Sequence, residues 1–478
     1  MRASIAILAA AAALCTLSAA PAHAAAPLST GFQDGGLETL NGPGELEAGL
    51  ANARRAGATV WRFGVVWRDV SPTKPPSTAA ARDPSWDGYR WDRIDRIVRA
   101  ATMAGLRPLG TVTVAPDWAE GPNPPPASPS MRDGAWRPSP TWMRAFATAL
   151  ATRYSGSHPD PLLPVFPLPR VPAWEPWNEP NLNLELAPQW TRKRGRWVET
   201  GPELYRRLHN AFYAGAKAAD PGVTVIAGAT APYGDAPGGA RMAPARFWRA
   251  LLCVRDGKAR RCGRTVRLDA VSHHPYPIGP PRRHARNRDD ITIPDLARIT
   301  RWLRPAVRAK TIRPARTTIP LWITEFSWDS RPDPNGLTLD QQATYLQGAL
   351  YVLWQQGART VVWFNLRDQA PDPSYAATLQ SGVFFRGLTP LLDTPKPSFT
   401  AIRFPFTAYR SAGVARLWGR APAAGAVIVE VRRGDAWVPA ATLTAGANRV
   451  FTGRLRAGPN VTLRARQGTD ASLSWRTQ

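Results

Sequence analysis

Two stretches of the chain set a glutamate at the end of an apolar run and surround it with tryptophan. They are Trp174-Glu175-Pro176-Trp177-Asn178-Glu179-Pro180-Asn181 and Leu321-Trp322-Ile323-Thr324-Glu325-Phe326-Ser327-Trp328. Two carboxyl groups brought together from strand ends are what cleavage of a glycosidic bond requires. One protonates the departing oxygen, and the other, ionised, meets the oxocarbenium-like carbon. Indole faces beside them suit the apolar faces of sugar rings. The competing reading is that Glu179 and Glu325 are two unrelated, exposed strand-end glutamates, so the question becomes whether the chain can bring them together.

The elements that would do so recur from about Leu28 to Pro405. An amphipathic helix ends at a small residue, a short apolar strand follows, and a polar or Pro-rich loop comes next. Helical spacing runs over 45–56, 91–104, 141–154, 202–219, 243–252, 293–309 and 339–356. Apolar strand-like runs follow at 59–63, 109–114, 173–177, 223–227, 268–272, 321–324 and 360–364. In the second helix Ile94, Ile97, Val98 and Ala101 share a face, and Gly105 suits its end. With Thr30-Gly31-Phe32 at the start, eight strands alternate with helices, which predicts a closed α/β TIM barrel, (β/α)8, over 28–405. The continuous apolar runs fit strands covered on both faces. Long loops follow strands at 70–90, 119–138, 181–201 and 275–291, on the face where this fold gathers its active site. Glu179 and Glu325 are therefore expected on one rim. Beyond 405 the runs become short strands, 415–420, 426–431, 437–440 and 461–465, separated by Gly, Pro, Asn or Asp. A small antiparallel, sandwich-like β domain is expected over 410–478, covering the barrel rather than binding glycan.

The first residues read as an export signal: Met1-Arg2, an apolar run from Ile5 to Leu17 too short to span a bilayer, then Ala22-His23-Ala24. Removal of 1–24 and a secreted or cell-envelope location are expected. Cys15 falls in that segment, leaving Cys253 and Cys262. An isolated pair nine positions apart in an oxidising compartment is expected to form a disulfide, and no further ligands cluster there for a metal. No later stretch is apolar and long enough to cross a membrane. Lys and Arg number 61 against 35 Asp and Glu, a formal charge of +26, and lysine stands only at 74, 193, 217, 258, 310 and 396. Arginine usage of a GC-rich genome is the plain explanation; attraction to an anionic glycan or cell envelope is the sharper one. No nucleic-acid-binding motif accompanies the charge, so nucleic acid is not expected as a partner.

With these residues in hand, the chain resembles glycoside hydrolase clan A, the (β/α)8 retaining enzymes, and looks closest to the cellulase-like families 5 and 39. Asn178-Glu179-Pro180 after the fourth strand is similar to the clan's acid/base motif, and Glu325 at the end of the seventh to its nucleophile. The resemblance implies a supporting shell of Arg62 on the second strand, His274 and Tyr276 in Ser272-His273-His274-Pro275-Tyr276, and Trp363 on the eighth strand as floor of the sugar site. Arg62 and the Tyr276 hydroxyl would keep Glu325 ionised. Trp177 would desolvate Glu179 so that it starts protonated, and Asn178 would hold the sugar 2-hydroxyl. Strict strand alternation aims Asn178 and Glu179 at opposite faces, so both serve the site only if the strand is already breaking near Pro180. Trp118 is a second platform or a packing residue, and His273 is expected to be structural. Thr113-Val114-Ala115-Pro116-Asp117 lacks the histidine that family 5 members often carry there, which favours the family 39 neighbourhood.

These readings predict a secreted, monomeric, retaining β-glycoside hydrolase, without cofactor or metal, acting on a poly- or oligosaccharide. The alternative is a non-catalytic glycan-binding or envelope-associated protein on a barrel scaffold. Arg192-Lys193-Arg194-Gly195-Arg196 and Arg282-Arg283-His284-Ala285-Arg286-Asn287-Arg288 lie in rim loops. There they would favour an acidic polysaccharide or simply remain solvated.

Overall fold

The structure is a computed structural model and describes residues 25–477; the expected export signal at 1–24 lies outside the described residues. Eight parallel strands close into a barrel in chain order: β1 Ser29–Gln33, β2 Val60–Val66, β3 Arg107–Thr113, β4 Ala173–Pro176, β5 Thr224–Thr230, β6 Ala270–His273, β7 Leu321–Ile323 and β8 Ala358–Phe364. The helices outside them are α1 Glu45–Arg55, α2 Asp92–Met103, α3 Pro140–Arg153, α4 Gly201–Ala219, α5 Pro244–Leu251, α6 Ala297–Arg308, α7 Leu339–Gln355 and α8 Pro397–Arg403.

Local chemistry sets the helix ends. Ser139 caps α3 with Pro140 in its first turn, and Thr338 and Gln341 close a capping box on α7. Gly57, Gly105 and Gly357 take left-handed backbone just past α1, α2 and α7. The helix expected over 293–309 is divided. Thr292 and Asp295 close a capping box around a 3-10 turn, Ile293–Asp295, and the α-helix begins only at Ala297.

Strand alternation sorts the barrel interior into layers. Val60, Leu109, Ala173, Ile226 and Ala270 form an apolar floor with Trp322. Two residues further along their strands, Arg62, Thr111, Glu175, Ser272 and Thr324 form a buried polar layer. Above it lie the strand ends. The alternate residues face the helices, as Trp174 does against Phe63 and Tyr154. Gly110 of β3 is what lets that indole lie flat, because a Cβ there would fall 2.0 Å from the Trp174 ring.

After the barrel come antiparallel strands β9 Phe406–Ser411, β10 Val414–Arg420, β11 Gly425–Arg433, β12 Ala436–Ala445, β13 Val450–Arg456 and β14 Thr462–Gln467. They form two sheets, ordered β9-β10-β13 and β12-β11-β14, the second extended by Asp470–Ala471 and Trp475–Arg476. Phe406, Leu417, Val427, Val429, Phe451 and Leu463 fill the space between. β9 and β13 are strands that sequence patterning did not mark. Phe406 is already in β9, ahead of the expected start at 410. The sheets meet α7 through aromatics: Tyr351 stacks on Tyr409 at 5.1 Å, and Trp418 packs on Tyr351 and Trp354. Cys253 and Cys262 are joined. Among the described residues no helix is long and apolar enough to cross a membrane.

Gly110→Val should cost about 1–3 kcal/mol of unfolding free energy in urea by overpacking against Trp174; an unchanged midpoint would show that β3 and β4 can part there.

Candidate active site

The site is built upward from Arg62, whose side chain is fully buried in the polar layer. A buried guanidinium must find acceptors for its donors. Nε and Nη2 donate to Glu175 Oε2 at 3.0 and 2.7 Å, and Nη2 also reaches Asn178 Oδ1 at 3.0 Å. Nη1 donates to Glu325 Oε1 at 2.5 Å and to Gln33 Oε1. Because arginine only donates, Asn178 must turn its oxygen toward Arg62, which leaves its amide N–H groups free for a ligand. Burial opposes the charge of Arg62, but Glu175 and Glu325 outweigh it and raise its pKa.

Glu175 is equally buried and is the functional residue that sequence reading passed over. Thr111 and Thr324 hydroxyls donate to its two oxygens at 3.2 and 2.9 Å. The available signal is positional: Glu175 sits two residues after Ala173 of the floor and pairs in register with Thr111, so it must face inward. Gln33 and Thr324 were missed for the same reason.

Glu325 lies beyond the end of β7 and is 8% exposed. The Tyr276 hydroxyl donates to its Oε2 at 3.0 Å, and His274 Nδ1 stands 3.6 Å from the same oxygen. Burial raises its pKa, but the charges of His274 and Arg62 and the hydrogen bonds of Arg62 and Tyr276 prevail. The carboxyl is held below its ordinary value.

Glu179 arrives by a broken strand. β4 ends at Pro176, and Trp177 and Glu179 both take left-handed backbone, with φ of 75° and 38°. The break begins before Pro180. It is fixed by Trp177 N–H to the Val112 carbonyl, Glu179 N–H to the Ala229 carbonyl, and Trp177 Nε1 to the Glu185 carbonyl. Alternation is lost, so Asn178 can reach Arg62 while Glu179 reaches His274. Such backbone is uncommon outside glycine and costs energy that the surroundings must offset.

His274 joins the two halves. Its Nδ1 lies 3.0 Å from Glu179 Oε1 and its Nε2 3.1 Å from Thr324 Oγ1. The single Thr324 proton is committed to Glu175, so Thr324 must accept from His274 Nε2–H. Nδ1 then either donates, with His274 charged and Glu179 ionised, or accepts from a protonated Glu179. One proton is shared between the two groups. Burial disfavours charge on His274, but Glu325 and Glu179 outweigh it and raise its pKa. One donor atom each from Glu179, His274 and Glu325 lie within 4.8 Å of one another. With Nδ1 already engaged by Glu179 and a guanidinium against Glu325, this cluster suits a proton better than a metal cation. Nearby Glu185, paired with Arg132, is pushed up to about 7, mainly by burial, with the charges of Glu179 and Glu325 adding to it.

The remaining expected residues divide. His273 is structural, bonded to Thr230 Oγ1 and the Ile291 carbonyl at 2.9 Å each. Trp118 is partly exposed but packs between Trp67 and Trp142 and donates to the Ser71 carbonyl, so the packing role is the one its contacts express. Trp363 is a correction. It has no exposed surface, donates Nε1–H to the Ser381 carbonyl, and packs on Phe326. The register explains this: Phe364, opposite the inward Gln33, faces the interior, whereas Trp363, opposite Phe32, faces the helices. Phe364, Tyr276 and Trp328 instead line a cavity of about 460 Å³ beside Glu325, together with Asp329 and Asp333.

No family model and no curated protein matches the sequence. Among solved structures the chain is similar to a family 39 glycoside hydrolase from the gut symbiont Bacteroides cellulosilyticus WH2. Identity is 17% over 90% of this chain and 81% of that chain, with a TM-score of 0.55. A GH39 β-xylosidase from Caulobacter crescentus gives 17% identity over 92% and 98% of the two chains, with a TM-score of 0.49. The catalytic domain of GH30 xylanase C from Talaromyces cellulolyticus gives 10% over 91% and 96%, with a TM-score of 0.46. The first likeness shows a shared fold.

Arg62→Met should destabilise by about 3–5 kcal/mol in urea at pH 7, since it strands buried Glu175, and Arg62→Met/Glu175→Gln should recover part of that; no recovery would deny the coupling. The depressed carboxyl of Glu325 adds stability that is complete above its unfolded pKa of 4.5 and is lost as pH falls through the folded value. Wild type should therefore lose unfolding free energy below pH 4.5 that Glu325→Gln keeps; identical pH slopes would contradict this.

Proposed function

We propose that this chain is an exported, retaining β-glycoside hydrolase acting on a poly- or oligosaccharide. Glu325 is the nucleophile and Glu179 the general acid/base. The observation that carries the reading is a pair of carboxyl groups with one oxygen of each within 4.8 Å of the other, Glu325 bonded to Arg62 and Glu179 to His274. Oxygens this close favour the retaining arrangement, with carboxyl groups about 5–5.5 Å apart, over the inverting one at about 6.5–9.5 Å. The joined cysteines agree with export to an oxidising compartment, and the fold shared with a family 39 glycoside hydrolase agrees with the chemistry.

A Glu325 oxygen, kept ionised by Arg62 and Tyr276, attacks the anomeric carbon as its bond to the leaving oxygen breaks. Glu179 gives that oxygen its proton, and the resulting carboxylate faces His274 Nδ1. In the second half Glu179 takes a proton from water, whose oxygen attacks the same carbon and frees Glu325. The free N–H groups of Asn178 are placed to donate to a sugar hydroxyl, and Phe364 takes the aromatic place beside the cavity.

Glu179→Ala should lower kcat by about 10²–10⁴-fold on glycosides with poor leaving groups, with azide restoring turnover where the leaving group is good. A 2-fluoro glycoside should inactivate wild type and label Glu325. A label on another residue, or full activity in Glu325→Gln, would overturn the assignment. A protein inert across neutral and acidic β-glycans that still binds one of them would favour the non-catalytic reading.

A further inference from the structure

The seam between the barrel and the C-terminal sheets holds a second cavity, of about 580 Å³, lined by Arg282, Tyr345, Tyr409, Trp475 and Arg476 with Pro280 and Pro281. Its floor is closely built. A side chain at Gly348 of α7 would meet Pro281, Tyr409 and Trp475 within 3.5 Å. Arg282 lies over the Tyr409 ring at 4.4 Å, and Trp475 meets the same ring edge-on at 5.0 Å. Arg282 and Arg476 are exposed, and neither has a carboxylate partner among the described residues. The groove thus combines aromatic surface with two cations that no carboxylate of the described residues pairs with.

The seam cavity also adjoins the one that Tyr276, Trp328 and Phe364 line. Trp328 lines the cavity beside Glu325, donates Nε1–H to the Gly279 carbonyl, and packs on Tyr345 at 5.6 Å. The segment from Tyr276 to Arg282 runs from one cavity to the other and spans at most about 20 Å, a reach that a short oligosaccharide covers. The two cavities differ in charge. Asp329 and Asp333 line the first, whereas arginine lines the second. A carboxylate-bearing sugar would be repelled at the first and held at the second, where a planar guanidinium fork matches a carboxylate.

We infer that the seam cavity is a distal glycan subsite for a uronate-bearing sugar unit, with Arg282 and Arg476 engaging its carboxylate and Tyr345 and Trp475 its ring. Only its direction toward the cleavage point rests on the hydrolase reading; binding itself does not. Of the two basic loops, this reading draws on the one that carries Arg282, and the sugar unit beside Asp329 and Asp333 would be an uncharged one.

The test is affinity electrophoresis of the full chain in gels containing glucuronate-substituted β-xylan, or the same polymer after carboxyl reduction. Arg282→Ala/Arg476→Ala should bind the acidic polymer at least fivefold more weakly than wild type. Arg432→Ala/Arg433→Ala, which removes the same charge from an exposed strand end, should bind as wild type does. On the reduced polymer all three should migrate alike, and kcat/KM on a small aryl β-glycoside should stay within twofold. Equal weakening by both double variants, or none by the first, would overturn the subsite. A protein that binds as expected yet cleaves nothing would sink the hydrolase reading and leave the subsite standing.

Discussion

A fully buried guanidinium is the constraint on which the rest depends. Arg62 is placed in the barrel by strand alternation, two residues above Val60 of the apolar floor, with no surface exposed to bulk solvent. It is tolerable there only because Glu175 and Asn178 reach it from β4 and its end, and Gln33 and Glu325 from the ends of β1 and β7. Breaking one partner would leave the others as uncompensated charge or unmet donors, which ties the ends of β1, β2, β4 and β7 into one geometry. The same contacts that hold the barrel together electrostatically orient the atoms that would do chemistry.

From that anchor the two carboxyl groups acquire different characters. Glu325 is touched by cations and a hydroxyl donor, so its charged form is favoured despite burial. Glu179 touches no guanidinium; its partner is a histidine whose far nitrogen is already committed through Thr324 to Glu175. One hydrogen-bonded chain from Glu175 through Thr324 to His274 therefore fixes the proton on Nε2 and leaves a second to be shared between Nδ1 and Glu179. The left-handed backbone at Trp177 and Glu179 is the local cost of bringing an acid from the strand end round to that histidine.

Much of this was legible in the sequence. The apolar period distinguished helices from strands, and helix-ending glycines such as Gly105 placed boundaries to within a residue or two. Glu179 and Glu325 stood out by their positions at strand ends, whereas Arg62, His274 and Tyr276 were singled out through the resemblance to clan A. What was not legible depended on the phase of neighbouring strands. Glu175 looks like an interruption of an apolar run until Thr111 is seen opposite it. Val361-Val362-Trp363-Phe364 is apolar on both faces, so nothing local shows that Phe364 rather than Trp363 turns inward. Strand β13 escaped notice because Gly453 interrupts its pattern, and its pairing with β10 supplies what its composition lacks.

Retention turns on whether the gap between Glu179 and Glu325 is bridged by a bond to the protein or by water. Proton NMR of the first-formed product from an aryl β-glycoside, read before mutarotation, tests this most directly. The geometry predicts that the β-anomer appears first and the α-anomer only later; an initial α-anomer would contradict a nucleophilic Glu325.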